Sequence, residues 1–436
     1  MATAATGTPE TADPIPPSTP PVRVALASFI GTTVEFYDFL IYGTAAALVF
    51  PQLFFPTASP VIGLLLSFAT FGVGFVARPL GGVVFGHFGD RVGRKRMLVV
   101  SLLLMGTATV LMGLLPTYAQ IGLAAPVLLT LLRLAQGFAM GGEWGGATLM
   151  AVEHAPPRRK GLYGAFPQMG APAGSAIAAG AFLLVPESQF LTWGWRIPFL
   201  ASAVLIAIGL AIRLTVTESP DFTALQRRAA VARMPITEAF GRHWRQILLV
   251  AGAYLSQGVF AYICVAYLVS YGTKVVGIDR AQALFAVLVA GTVAVITYPV
   301  FGALSDVVGR RPVFIGGVVA MGLAIGPAFA LINTGDPNRF LLAQLLVFGF
   351  AMAPAAGVTG SLFSLSFSAE VRYSGVSIGY TLSQVLGSAF APTIATALLA
   401  ATGTSMSIVA YLVGVSVISA ASAGFLPGGP SRSHPG

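Results

Sequence analysis

The chain has 436 residues, 56% of them hydrophobic and only 9% charged. Soluble domains carry about 25% charged residues, so this composition, with a mean hydropathy of +0.83, excludes a water-soluble globular protein. The 24 basic against 15 acidic residues give a net charge of +9. That surplus sits in short segments between apolar runs and reads as an orientation signal facing anionic lipid, not as a nucleic-acid surface. The single cysteine, Cys264, excludes an intrachain disulfide and a cysteine metal cluster.

Residues 1–22 are rich in Thr, Ala and Pro and lack the basic start and apolar core of a signal peptide. They read as a disordered cytoplasmic tail. Twelve apolar runs follow, at 24–50, 61–86, 97–115, 120–151, 161–185, 196–216, 246–273, 281–304, 313–332, 340–367, 373–400 and 405–426. A membrane-crossing helix needs ~20 such residues, so each run predicts one span. The first holds Glu35 and Asp38, three apart and on one helix face with Gly31 and Tyr42. The second holds Arg78, and the fourth holds Arg133 and Glu143. Gly137, Gly141 and Gly145 of the fourth recur every four residues, a spacing that lets helices approach closely.

The longest non-apolar stretch, 217–245, lies mid-chain. Ser219-Pro220-Asp221 has the form of a helix start, and Arg227, Arg228, Arg233, Arg242 and Arg245 follow. A short basic helix on the membrane surface is expected there. The later spans offer neutral polar groups instead of charges, among them Tyr254, Gln257, Tyr262 and Tyr267.

The two parts repeat. Gly86-His-Phe-Gly-Asp90-Arg91-Val-Gly93-Arg94-Lys95 follows span two, and Gly302-Ala-Leu-Ser-Asp306-Val307-Val-Gly309-Arg310-Arg311 follows span eight. Gly86 and Gly302, Asp90 and Asp306, Gly93 and Gly309, and Gln168 and Gln384 all lie 216 residues apart, and Glu153 and Glu370 lie 217 apart. An all-α integral membrane protein of two parallel six-helix repeats is predicted, at 23–216 and 246–426, joined by the cytoplasmic loop 217–245 and ending in a cytoplasmic tail, 427–436. Parallel repeats of this kind form transporter halves that rock about a midplane site. With the N-terminus inside, 18 basic residues fall on the cytoplasmic side and 4 on the other, which places both termini and the central loop in the cytoplasm.

Five charges inside spans would together cost on the order of 12–17 kcal/mol if unpaired near the bilayer centre. Glu35, Asp38, Arg78, Arg133 and Glu143 must therefore pair or face a wet cavity. With two cations against three carboxylates, one carboxylate is left without a full partner. A desolvated carboxylate holds a proton more readily, which suits a proton carrier; a static ion-pair knot fixing helix packing is the alternative. Asp90 and its flanking arginines can pair with a neighbouring helix end or loop, in contacts made in one conformation and broken in another. No His-Glu-x-x-His, phosphate loop or nucleophile elbow occurs, so neither a catalytic residue nor a metal site is expected.

These residues resemble the major facilitator superfamily, in its metabolite:proton symporter branch, which includes carriers for shikimate, α-ketoglutarate, citrate and proline/betaine. Gly86-x3-Asp90-Arg91-x-Gly93-Arg94-Lys95-Arg96 is similar to the superfamily's signature between helices two and three, and Arg133-Leu-Ala-Gln136-Gly137 to its helix-four motif. Val34-Glu35-Phe36-Tyr37-Asp38-Phe39, Gln136-Gly137-Phe-Ala-Met-Gly141-Gly142-Glu143-Trp144-Gly145-Gly146 and Trp193-Gly194-Trp195-Arg196-Ile-Pro198-Phe199 resemble the branch more specifically. The resemblance implies a central cavity lined by helices one, four, seven and ten. It implies proton and substrate sites among Glu35, Asp38, Tyr42, Arg78, Arg133, Gln136 and Glu143. A conformational latch is implied at Gly86, Asp90, Arg91, Gly93 and Arg94, with Asp306, Gly309, Arg310, Glu153, Glu370 and Arg372 as its counterparts. Val307 replaces the first copy's Arg91, and Leu365 stands where relatives often have an acid. Gly170-Ala-Pro172-Ala-Gly174 departs from the helix-five pattern of drug/proton antiporters, which favours uptake over efflux.

The expectation is a proton-coupled symporter of the inner cell membrane that imports a small polar metabolite, an organic anion above all, by alternating access. It would be a monomer working with protons, a small-molecule substrate and lipid, with no nucleic acid and no cofactor. A drug/proton antiporter and a non-transporting metabolite sensor are the alternatives.

Overall fold

The computed structural model describes residues 20–92, 94–215, 235–367 and 372–426, with the side chains at 86–87, 89–92, 94–95, 98, 142–145, 212–215, 235–242 and 373 outside the description. No strand occurs among the described residues. Among these residues, eight helices are long and apolar enough to cross a membrane. Lys160–Leu183, with its continuation Glu187–Gly194 bent by 90°, adds a ninth, and the shorter Val99–Leu114, Ala124–Ala139 and Arg196–Ala211 bring the spans to twelve.

In chain order, α1 is Pro21–Leu48, α2 Pro60–Val92 and α3 Arg94–Leu114. The fourth, α4, runs through Ala124–Ala139, tightens at Met140–Gly142 and resumes as Glu143–Glu153. Next come α5, Lys160–Leu183, and α6, Arg196–Thr215. Helix α7 starts as Pro235–Tyr262 and reaches Val276 through two wide π turns, Ile263–Tyr267 and Gly272–Val276. After it come α8, Arg280–Val308, and α9, Arg310–Ile332. A π turn at Leu345–Ala351 joins Pro337–Gln344 to Ala353–Ser364 in α10. Finally, α11 runs through Arg372–Leu386, Ser388–Phe390 and Ala391–Thr402, and α12 is Met406–Phe425.

Helices α1 to α6 pack mainly on one another, as do α7 to α12, and the two groups meet chiefly where α5 lies on α8 and α10 and where α2 lies on α11, with further contacts of α1 on α7 and of α4 on α10 and α11. Small residues set the closest approaches. A Cβ on Gly137 would stand 1.8 Å from the Gly74 carbonyl oxygen, so α2 and α4 touch backbone to backbone, as the four-residue glycine spacing predicts. Between the halves, a Cβ on Gly161 would lie 2.3 Å from the Gly302 oxygen.

Three details differ from the sequence reading. The signature segments, expected as loops, are largely helical: α2 runs to Val92 and α8 to Val308. At ~1.5 Å per residue, the 33 residues of α2 exceed the ~30 Å apolar core. Hydropathy marks the apolar run, whereas backbone hydrogen bonding carries the helix on into the headgroup zone. The turn falls instead at Gly309, whose φ of 109° suits glycine. The fourth span is broken at Met140–Gly142, where paired glycines weaken the helix. In the central segment, helix starts at Pro235 and joins the α7 span across a kink at His243, φ −120°. The expected start at Ser219-Pro220-Asp221, with Arg227, Arg228 and Arg233, lies outside the described residues.

Candidate functional site

Arg133 is fully buried at the level where α1, α2 and α4 converge. Its guanidinium stacks on the rings of Phe39 at 3.8 Å, Tyr42 at 4.3 Å and Phe71 at 4.7 Å. Its Nε and Nη2 donate to the Phe71 carbonyl, 3.4 Å each, and Nη1 donates to Gln136 Oε1. Gln136 Nε2 then donates to the backbone oxygen of Asp38 at 3.0 Å and to Thr109 Oγ1 at 2.8 Å. One amide thus ties the cation of α4 to the backbone of α1 and to α3. Tyr42, one turn beyond Asp38, donates its hydroxyl to Thr70 at 2.8 Å.

Asp38 is fully buried, and both its carboxylate oxygens are without a hydrogen-bond partner among the described residues. The Ser202 hydroxyl of α6 lies beside it. Glu35, one turn earlier on α1, is buried too and has a polar partner of its own. The Glu143 side chain lies outside the described residues. Arg78, also buried, lies 4.4 Å from the rings of both Phe39 and Phe75, donates to Met140 Sδ at 3.6 Å and reaches the Tyr380 hydroxyl of α11. The structure therefore gathers Glu35, Asp38, Tyr42, Arg78, Arg133 and Gln136 into one zone of the first half.

Beside this zone, between the halves, is a small cavity. Phe36 and Leu40 of α1 and Gln168 and Pro172 of α5 form one side; Tyr254, Gln257 and Tyr262 of α7, Tyr298 of α8, Phe348 of α10 and Gln384 of α11 form the other. Among the described residues, no lining residue carries a formal charge and none comes from α4, whose side chains at 142–145 lie outside the description. The resemblance implied a lining from α1, α4, α7 and α10; the described lining includes α1, α7 and α10 and adds α5, α8 and α11. The π turn at Ile263–Tyr267 adjoins Tyr262, and that of α10 contains Phe348, so both re-aim helices that line the cavity.

Three glutamine amides face this space with polar atoms unused: Gln168 Nε2, Gln257 Nε2 and Gln384 Oε1 have no hydrogen-bond partner among the described residues. Their other atoms are partly held, since Thr359 donates to Gln257 Oε1 at 2.8 Å and Gln384 Nε2 donates to the Tyr380 hydroxyl at 3.0 Å. Gln168 and Gln384, the pair 216 residues apart, sit on opposite sides of the cavity. The Tyr262 ring lines the cavity and packs edge-on against Phe71 at 5.3 Å and Phe75 at 5.2 Å. Phe71 also stacks with Arg133 and Phe75 with Arg78. Aromatic rings thus link Tyr262 to the buried cations, and Arg78 also reaches Gln384 of the lining through the Tyr380 hydroxyl.

At one end of the molecule, several of the residues expected to form the latch make contacts between the halves. Asp306 accepts from the backbone N–H of Gly161 at 2.7 Å and of Leu162 at 3.0 Å, and lies 3.4 Å from Arg310. Arg372 pairs with Glu153 across the halves at 3.5 Å. The side chains of Gly86, Asp90, Arg91 and Arg94, and the whole of Gly93 and Glu370, lie outside the described residues. Sequence reasoning missed Tyr298, Phe348, Tyr380 and Ser202, which read as ordinary span residues; the cost of burying a hydroxyl marks Tyr298, Tyr380 and Ser202, and nothing marks Phe348.

Twelve helices in two groups around a cavity between them define a transporter of the major facilitator superfamily, not an enzyme. Residues 24–241 match the family model described as sugar (and other) transporter. The chain is 43% identical to the inner membrane metabolite transport protein YhjE of Escherichia coli K12, over 86% of this chain and 87% of that one. It is 42% identical to the shikimate transporter of the same strain, over 92% and 93%. Among solved structures, a D-xylose–proton symporter superposes with a TM-score of 0.72 at 18% identity, covering 95% of this chain and 98% of that one. The chain belongs to the sugar (and other) transporter family and is a multi-pass membrane transporter.

Proposed function

We propose that this transporter is a proton-coupled symporter that imports a small polar metabolite, an organic carboxylate, by alternating access. The buried carboxylate of Asp38, with both oxygens unpartnered, carries the reading: in its charged form it is costly there, and a proton removes that cost. Arg133 tunes that site through Gln136, and Glu35 and Glu143 are the other carriers available. The substrate occupies the cavity, where the Gln168 and Gln257 amide groups donate to a carboxylate or hydroxyl and Gln384 Oε1 accepts from a hydroxyl. The names of the relatives, one of them a shikimate transporter, support a solute of this class. The aromatic rings of the described lining, Tyr254, Tyr262, Tyr298 and Phe348, support a second reading, a zwitterion such as betaine, whose ammonium such rings attract. An inner-membrane location with both termini in the cytoplasm follows from the basic residues, and the proton gradient drives transport without a cofactor.

Proteoliposomes carrying an inward proton gradient test this. Labelled shikimate and labelled glycine betaine are offered in parallel, and gradient-driven accumulation is compared with equilibrium exchange. Wild type should accumulate one of them, and Asp38→Asn should exchange it without accumulating it. Accumulation by Asp38→Asn equal to wild type would remove Asp38 from the proton's path.

A further inference from the structure

Helix α8 holds both ends of helix α5, and the grip at the second end is made by Arg280. At the first end, Asp306 accepts from the second and third amides of α5, whose own N-cap, Arg159, makes no side-chain cap. Those N–H groups have no partner within their helix, so Asp306 caps α5 from the opposite half. At the other end of α5, Arg280, the first residue of α8, uses all three guanidinium nitrogens. Nη1 donates to the Phe182 carbonyl at 3.1 Å and Nη2 to the Val185 carbonyl at 3.1 Å. Its Nε donates to Glu187 at 2.7 Å, and its guanidinium lies 3.9 Å from the Phe190 ring.

We propose that Arg280 is the gate latch of the end opposite Asp306, closing the α5–α8 seam by gripping the carbonyl end of α5. The charges suit the helix ends: a carboxylate meets the amino end and a cation the carbonyl end of α5, each opposite in sign to the helix dipole there. The carbonyl contacts do the holding. The Arg280 side chain is only 12% exposed, whereas Glu187 is 76% exposed, and an exposed ion pair contributes little. With both grips made, the cavity is shut at both ends of this seam, and opening to either side releases one grip while the other acts as pivot. The inference holds whichever solute or ion is carried.

The test is distance measurement between nitroxide pairs in the full-length protein in lipid, with the buried Cys264 replaced by Ala. One pair, Ser188→Cys with Thr334→Cys, spans the Arg280 end at exposed positions of the two halves; the other, Arg158→Cys with Val307→Cys, spans the Asp306 end. Arg280→Ala should shift the first pair to longer separations and leave the second unchanged, while Asp306→Ala does the reverse. Arg280→Lys keeps the charge but not the fork that reaches two carbonyls, so a smaller shift of the first pair is expected, with little risk to folding. Glu187→Gln should leave both pairs as in wild type. An unshifted first pair in Arg280→Ala, or a full shift from Glu187→Gln alone, would overturn the proposal.

Discussion

Arg133 holds its charge against three rings and three hydrogen bonds, an arrangement a planar guanidinium can make and an ammonium cannot. Arg133→Lys should therefore lower uptake about tenfold or more, a loss of roughly 1.4 kcal/mol, although the charge is kept; initial uptake rates in proteoliposomes read it. Gln136 is a positioning residue, since it touches Arg133 and the Asp38 backbone and does not line the cavity. The amides that do line it have separate signatures. Removing one hydrogen bond to the solute costs about 1 kcal/mol, so Gln168→Ala and Gln384→Ala should each raise the half-saturating solute concentration about fivefold. Both should leave the proton dependence of uptake unchanged, which a pH series of the same assay checks.

At the scale of the helices, the contact between α2 and α4 rests on having no side chain at Gly137. Gly137→Val would drive carbons into the Gly74 carbonyl. Overpacking of a well-packed site costs about 1–3 kcal/mol, and thermal unfolding in detergent should show a lower midpoint. Gly31→Ala is the matched control: a Cβ there meets nothing within 4 Å, so the midpoint should hold or rise. How much of this was readable in the sequence follows from what each residue stands out against. Glu35, Asp38, Arg78 and Arg133 are conspicuous inside apolar runs, and the Gln168–Gln384 pair shows through the repeat. Tyr298 and Phe348 do not stand out, because the spans are apolar all round and hydropathy gives depth without saying which face meets lipid and which meets cavity. Arg280 passed for a loop charge; its partners are main-chain carbonyls, which no side-chain pattern reveals.

Across the whole molecule, the two halves touch along two kinds of surface. Helix α5 on α8 and α10 is a seam of small residues with charged grips at its ends, and α2 on α11 is a ring-packed contact in which Phe390 covers Gly72. Between these seams lies the cavity, and beside it lies the charged zone of the first half. In the proposed mechanism, proton and solute therefore occupy neighbouring but separate places, linked by helix α1, which carries Asp38 in the charged zone and Phe36 and Leu40 on the cavity side. Neutralising Asp38 should therefore uncouple transport without emptying the cavity.

The most direct measurement follows the proton itself. Proteoliposomes loaded with a pH dye receive one candidate solute outside at a time, with protein-free liposomes in parallel to subtract leakage of protonated acids. The account predicts protein-dependent acidification of the lumen with one solute, and none with Asp38→Asn. Alkalinisation, or uptake of the solute with no proton movement, would contradict it.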